Sequence, residues 1–328
     1  MPNPTQKRVH YNAMLGNMSV AFMQEAEGFV HDKVFPNVLV SKKSNNYWVY
    51  DPESWNRDEM KARAPATETP GISSRLSTDT YNCNNFGLHE DLADEEFDNA
   101  DEGIALREDT VELLSHKAMI HKELAWHNAY FKTGVWASDI DVTASADFGS
   151  VAISDASSKF IEGVKKAISD QKKTSHGYKP NTLILSEDVW RVLSDHVQFL
   201  DRVIGGATTA MPARVQLEQL AMILGLKEVL VSEAIINTAA EGQSPSNSYF
   251  ATNGALLCYV APRVGRKTPT AGATFVWDRK SKGPGVVKGT SIREFYIEKE
   301  QALRVEIEHN FDYKVVAATM GTFLHNLL

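Results

Sequence analysis

One segment constrains this chain more than any other. Residues 35–136 hold a basic, proline-containing polar excursion, then an acidic stretch, then one long amphipathic helix. Strand-like runs bound the excursion. Val38-Leu39-Val40 and Tyr47-Trp48-Val49-Tyr50 carry the β-branched and aromatic residues that suit a pleated surface. Ser41 to Asn46 between them is turn chemistry, and Thr80 to Phe86 reads as a returning strand. Asp51 to Arg75 contains Pro52, Pro65, Pro70 and Gly71 with Arg57, Lys61, Arg63 and Arg75, and Lys42 and Lys43 lie just upstream. Its apolar content is too low for a core of its own. A neighbouring subunit is the economical means of ordering it, and a partnerless surface loop is the alternative.

From Glu90 to Glu112 eleven acids, including Asp94, Glu95, Glu96 and Asp98, stand against the single base Arg107. Negative charge before and within the first turn of a helix is favoured by the macrodipole, at about 0.3–1 kcal/mol per well-placed group. The pattern predicts a helix over 104–133, rich in strong helix formers and ended by Gly134. At 1.5 Å per residue such a helix is roughly 45 Å long. Leu113, Ile120, Leu124 and Phe131 make its expected apolar stripe, widened by Val111, Leu114, Ala118 and Ala125. That is a rod for packing.

The remainder reads as mixed α and β structure. Residues 1–34 form a polar arm with one short amphipathic helix through Phe22, Met23, Ala26, Phe29 and Val30. After a polar connector over 137–150, helices are expected over 157–173, 187–193 (capped by the Ser186 hydroxyl) and 215–224, with strands at 182–185 and 228–231. Strand-like runs at 255–260, 275–277, 292–297 and 303–307 dominate the end. A chain of 328 residues and 36.4 kDa suggests two packed subregions. No apolar run approaches membrane-spanning length, no membrane partner is expected, and the N-terminus lacks the apolar segment of a secretion signal. Cys83 and Cys258, the only cysteines, suggest free thiols in a reducing compartment, although a disulfide between them stays open. A net charge of −8 speaks against a general nucleic-acid binder. It is compatible with a wall that merely surrounds nucleic acid.

Signals of catalysis fail on spacing. His116, His121 and His127 sit near Glu123, yet His121 and His127 are about 240° apart on a helix, and His116 and His127 lie roughly 16 Å apart. No zinc, phosphate-loop, nucleophile-elbow or calcium-loop pattern occurs. No catalytic residue, metal or cofactor is expected. One charge pattern survives: over 263–288, Arg263, Arg266, Lys267, Arg279, Lys280, Lys282 and Lys288 are opposed by Asp278 alone. Matching this against the acidic segment suggests complementary subunit contacts, with ordinary surface charge as the rival. The candidate contacts are Lys42, Lys43, Arg57, Lys61, Arg63, Asp94, Glu95, Glu96, Asp98, Arg263, Arg266 and Lys267.

Several phrases share an order with a known family. Arg63-Ala64-Pro65-Ala66-Thr67-Glu68-Thr69-Pro70, then Ser77 to Tyr81 and Gly87-Leu88, resembles the loop-and-return wording of tailed-bacteriophage major capsid proteins of the HK97-like fold. Asp94 through Asn99-Ala100, and the helix with Lys122-Glu123 before Thr133-Gly134-Val135-Trp136, resembles their spine. Lys179 to Ser186 with Val189, Trp190, Val192 and Leu193, and Leu220 to Val231 with Ala234 and Asn237, resembles their axial domain. The likeness covers about 35–328. It implies an α+β coat fold with N-terminal arm (1–34), extended β-hairpin loop or E-loop (35–89), peripheral domain with spine helix (90–150), α/β axial domain (151–250) and return strands (251–328). It further implies self-assembly into pentamers and hexamers as an icosahedral shell around double-stranded DNA, in a virion assembled in the bacterial cytoplasm, without catalysis. The expected partners are other copies of the chain, a separate scaffolding protein, a portal and an optional decoration protein, since no long scaffolding-like segment precedes the arm. Lys42, Lys43 and Lys61 are candidates for chainmail crosslinking by location only, and crosslinking is not expected. The alternatives are an encapsulin-like compartment or an α/β enzyme with a long insertion.

Overall fold

A computed structural model describes residues 28–50, 56–69, 71–72, 76–98, 106–196, 217–240, 242–263, 265, 268–278, 286–287 and 289–328. In chain order its elements are α1 (His31–Val34), β1 (Asn37–Val40), β2 (Ser44–Tyr50), β3 (Leu76–Asn82), β4 (Asn84–Ala93), α2 (Asp94–Asp98) and α3 (Leu106–Tyr130). Next come β5 (Ser138–Asp141), α4 (Phe160–Thr174), β6 (Thr182–Ser186), α5 (Glu187–Ser194), α6 (Leu217–Leu224) and β7 (Glu228–Ser232). The chain finishes with β8 (Ile235–Asn237), β9 (Asn247–Tyr249), β10 (Gly254–Cys258), β11 (Gly272–Trp277), β12 (Val286–Val287), β13 (Thr290–Ile297), β14 (Ala302–Val315) and β15 (Gly321–His325). The expected arm helix around Phe22 lies outside the described residues.

Two sheets organise the molecule. A six-stranded sheet runs β1-β11-β14-β13-β12 with β4 also paired to β14, and a five-stranded sheet runs β5-β15-β10-β6-β7. Every residue of β6 and β10 is buried, which is why these strands are short, nearly continuous apolar runs. Alternate side chains serve two cores. Leu183, Leu185, Ala255, Leu257 and Leu324 pack with Phe160, Ile161, Val164, Leu193 and Leu220 from α4, α5 and α6. Ile184, Leu256, Cys258 and Phe323 point the other way, onto Phe35, Trp126 and Trp136. The end of α3 and the chain just before β1 thereby join the two sheets. A third cluster seats the first half of α3 (Val111, Leu114, Ala118) on Leu92, Ile292, Val305 and Ile307 of the six-stranded sheet.

Several expectations need correction. Among the described residues the helix runs Leu106–Tyr130 and stops at Tyr130, short of the expected end at 133; the expected start at 104 lies outside the described residues. Gly134 lies beyond it in a left-handed turn (φ 81°), its N–H donating to Asp139 Oδ2 at 2.6 Å. The buried stripe of α3 is Thr110, Val111, Leu114, Ser115, Ala118, Met119, Glu123, Trp126 and His127, whereas Leu113 is 42% exposed. The stripe is rotated because polar groups, not only apolar ones, face the sheet. Glu90 and Asp91 belong to β4, paired along β14 from Ala302 to Phe311, and the short helix α2 begins only at Asp94. Strand β14 runs on through Val315, well past residue 307. The connector over 137–150 includes β5, which pairs in parallel with β15. Ser186 gives no side-chain cap to α5; its hydroxyl donates to Gly254 O at 3.1 Å and so ties β6 to β10. Gly225 does end α6 as a left-handed cap (φ 67°), with Leu226 N donating to Ala221 O at 2.9 Å. Among the described residues no helix is long and apolar enough to cross a membrane.

Candidate assembly surface

The excursion is a hairpin. Strands β2 and β3 pair antiparallel from Ser44↔Asn82 to Tyr50↔Leu76 and pair with no other strand. Its root is pinned to the six-stranded sheet. Tyr81 stacks on Phe275 with centroids 4.6 Å apart, Tyr47 lies 5.2 Å from the same ring, and Asn82 N donates to Asp312 Oδ2 at 2.8 Å. Trp277 Nε1 donates to Ser41 O at 3.3 Å. Burial raises the Asp312 carboxyl above its usual range and pushes the Cys83 thiol up to about 11, so this thiol is an inert packing group. Both cysteines are free and buried.

Away from the root no described side chain of the hairpin before Leu76 is fully buried, and its loop meets the body at Asn56, whose Nδ2 donates to His176 O at 3.2 Å. Trp48 is 65% exposed, Met60 92% and Ile72 79%. All described residues of 56–69 are exposed except Glu59. An isolated two-stranded ribbon is marginally stable by itself in water, so one that carries exposed aromatic and aliphatic side chains is built for a second surface.

Lys42, Lys43, Arg57, Lys61 and Arg63 are all exposed, as are Asp94, Glu95, Glu96 and Arg263. Arg57 meets Glu59 at 3.7 Å, Asp94 accepts from the Tyr296 hydroxyl, and Glu96 Oε2 accepts from Ala93 N at 3.3 Å. No ion pair among the described residues joins the basic set to the acidic set within one chain. The Asp98 side chain, Arg266 and Lys267 lie outside the described residues. Asp91 is spoken for, holding Arg304 through two 2.6 Å hydrogen bonds.

The acids and histidines of α3 form a group that spacing along the helix does not reveal. Glu123 is fully buried and accepts from Val30 N, His31 N (3.1 Å), His31 Nδ1 (2.6 Å) and His127 Nε2 (2.9 Å). Burial alone would raise its carboxyl; hydrogen bonds from His127 and His31 outweigh that and hold it near 2. His31, 92 positions away, is the member that sequence reasoning missed. A carboxylate saturated by N–H donors in a dry core is a clamp, not a general base. His116 and His121, by contrast, are exposed residues, although the His121 ring leans on Phe86 of the sheet with centroids 4.7 Å apart. One open depression of about 500 Å³ lies inside the hairpin loop (Lys61, Arg63, Glu68), and another of about 220 Å³ lies beside His127, Lys132 and Phe250.

This arrangement of projecting hairpin, long helix on one sheet and helix-covered second sheet recurs in solved structures. A phage-related protein from Bordetella bronchiseptica RB50 is 15% identical, with a TM-score of 0.72 over 97% of this chain and 98% of that one. The chain has the HK97-like coat fold. The capsid structure of cyanophage P-SCSP1u (11% identity, TM-score 0.57, 89% of this chain, 86% of that one) shares it. So does the SrpI encapsulin of Synechococcus elongatus PCC 7942 (10%, 0.52, 90% and 86%). No family model and no curated protein matches the sequence. In the terms of this fold, β2 and β3 are the E-loop hairpin, α3 is the spine helix and the five-stranded sheet is the axial layer.

Proposed function

We propose that this chain is the major capsid protein of a tailed bacteriophage. Copies assemble into pentamers and hexamers that close an icosahedral shell around double-stranded DNA, inside a bacterial cytoplasm, with a scaffolding protein and a portal supplied separately. The observation that carries the reading is the E-loop hairpin, pinned at its root and exposing Trp48, Met60 and Ile72 over no core of its own. The loop cations Lys42, Lys43, Lys61 and Arg63 meet Glu95 and Glu96 of a neighbour, and Arg263, Arg266 and Lys267 add a second basic patch. Charge matching of this kind fixes register and partner choice more than affinity.

The test is to delete Asp58–Ser74 and compare sedimentation with wild type. Megadalton particles for wild type and a folded monomer for the deletion support the reading. Particles from both variants would remove the hairpin from assembly. The encapsulin likeness favours a second reading, a compartment that houses protein cargo. The contents of purified particles separate the two: nuclease-protected DNA for a capsid, a co-purifying enzyme for a compartment.

A further inference from the structure

A polar belt crosses the contact between the spine helix and the six-stranded sheet, and the shell reading gives it no task. On one side of the belt lies the apolar cluster of Val111, Leu114, Ala118, Ile292, Val305 and Ile307; on the other lies that of Phe35, Trp126 and Phe311. At its centre is His309, 4% exposed, in the middle of β14 between Thr290 of β13 and Phe86 of β4. His309 Nδ1 is 2.8 Å from the Thr290 hydroxyl, and Nε2 is buried without a hydrogen-bond partner among the described residues.

The groups packed around it are cationic or can become so. From the spine helix come Lys122, whose Nζ lies 5.7 Å over the Phe311 ring, and His121, whose ring lies 4.7 Å from Phe86. From the chain before β1 comes His31. From β14 the flanking side chains on the same face are Ile307, Phe311 and Tyr313. The nearby acid Glu123 is already saturated by His31, His127 and two backbone N–H groups. Glu308, next along β14, is engaged by Arg293 at 2.8 Å. Neither of these two carboxylates has a hydrogen bond to His309 among the described residues.

We propose that His309 makes the spine helix–sheet contact an acid-sensitive latch, closed while its imidazole is neutral and loosened when it gains a proton beside Lys122 and His121. Burial, then Lys122, His121 and His31, hold the imidazole well below its ordinary value. The sign follows from linkage. The closed state excludes the proton and the opened state accepts it, so the latch is fully closed above the ordinary imidazole value of about 6.5 and weakens as pH falls below it. The first pH unit below that value multiplies the opening equilibrium by about five and each further unit by about ten, because one proton separates the two states. The latch lies within one folded subunit and does not depend on the shell reading.

Hydrogen exchange of the full-length subunit at pH 7.5, 6.5 and 5.5, corrected for intrinsic exchange, tests it. Amides of Leu106–Tyr130 should open about fivefold more at pH 5.5 than at 6.5, while those of Phe160–Thr174 hold. His309→Asn keeps a group near Thr290 but cannot titrate, and should flatten the helix response. Lys122→Gln removes the facing cation and should shrink the response without abolishing it, and it serves if the asparagine variant fails to fold. His116→Asn, on the exposed side of the helix, should respond as wild type. Equal acid responses in wild type, His309→Asn and Lys122→Gln would overturn the proposal, as would opening that spreads equally to Phe160–Thr174.

Discussion

Replacing Glu123 with glutamine keeps the shape of the side chain and removes its charge. The new amide has one orientation open to it. His31 N and His31 Nδ1 both donate at the Oε2 position, so the amide oxygen must sit there. The NH2 then faces His127 Nε2, where the carboxylate had accepted at 2.9 Å. His127 must turn that N–H to the Ser232 hydroxyl, 3.0 Å from Nε2, and leave the new amide N–H without an acceptor, or move its proton to Nδ1, which is buried without a partner among the described residues. A lost charge-assisted hydrogen bond and an unsatisfied buried donor each cost about 1–3 kcal/mol, so Glu123→Gln should lose about 2–4 kcal/mol. Urea unfolding at pH 7.5, followed by the fluorescence of fully buried Trp126, measures this directly. The same clamp predicts an acid response of the wild type. Its carboxyl is depressed from 4.5 to about 2 in the folded chain, so its contribution is complete above pH 4.5 and is lost as pH falls from there through 2. At 1.36 kcal/mol per pH unit that contribution is about 3 kcal/mol. A glutamine variant within 0.5 kcal/mol of wild type, about the size of an ordinary surface change, would refute the clamp.

Three further outcomes follow from named contacts. Gly163→Ala should lower stability by about 1–3 kcal/mol in thermal unfolding, despite alanine's better helix propensity, because a Cβ there would sit 2.5 Å from the Phe148 ring. Asp91→Asn should cost about 1 kcal/mol, since the two-pronged Arg304 contact is only partly shielded from water, and a double-mutant cycle with Arg304→Ala should recover most of that as coupling. Lys61→Glu combined with Arg63→Glu should leave urea stability unchanged and impair assembly, because both side chains are exposed and neither has an ion pair among the described residues.

The local pattern made much of this fold legible. Continuous apolar runs at Thr182–Ser186 and Glu228–Ser232, and the amphipathic run at Phe160–Thr174, appear as a strand, a strand and a helix within a few residues of expectation. The return strand expected at Thr80–Phe86 falls on β3 and β4, whereas Ser44–Asn46, expected as turn, open strand β2 and pair with Thr80–Asn82. Other features depended on distant partners. The spine's buried face could not be read from its own periodicity, because Glu123 and His127 face inward only when Val30 and His31 arrive to bind them. Strand β14 looked shorter than it is, since Glu306, Glu308 and Asn310 are polar; Arg293 satisfies both glutamates from the neighbouring strand. Strands β5 and β9 are rich in Ser, Asp and Asn and owe their form to pairing, not propensity. The exposed cations of the hairpin were visible in sequence because a loop with no core shows its composition directly.

Electron microscopy of the purified protein, alone and with a scaffolding protein, tests the shell function most directly. Closed icosahedral particles with capsomers of five and six subunits are the predicted result. A monodisperse monomer that forms no shell under any assembly condition would contradict it.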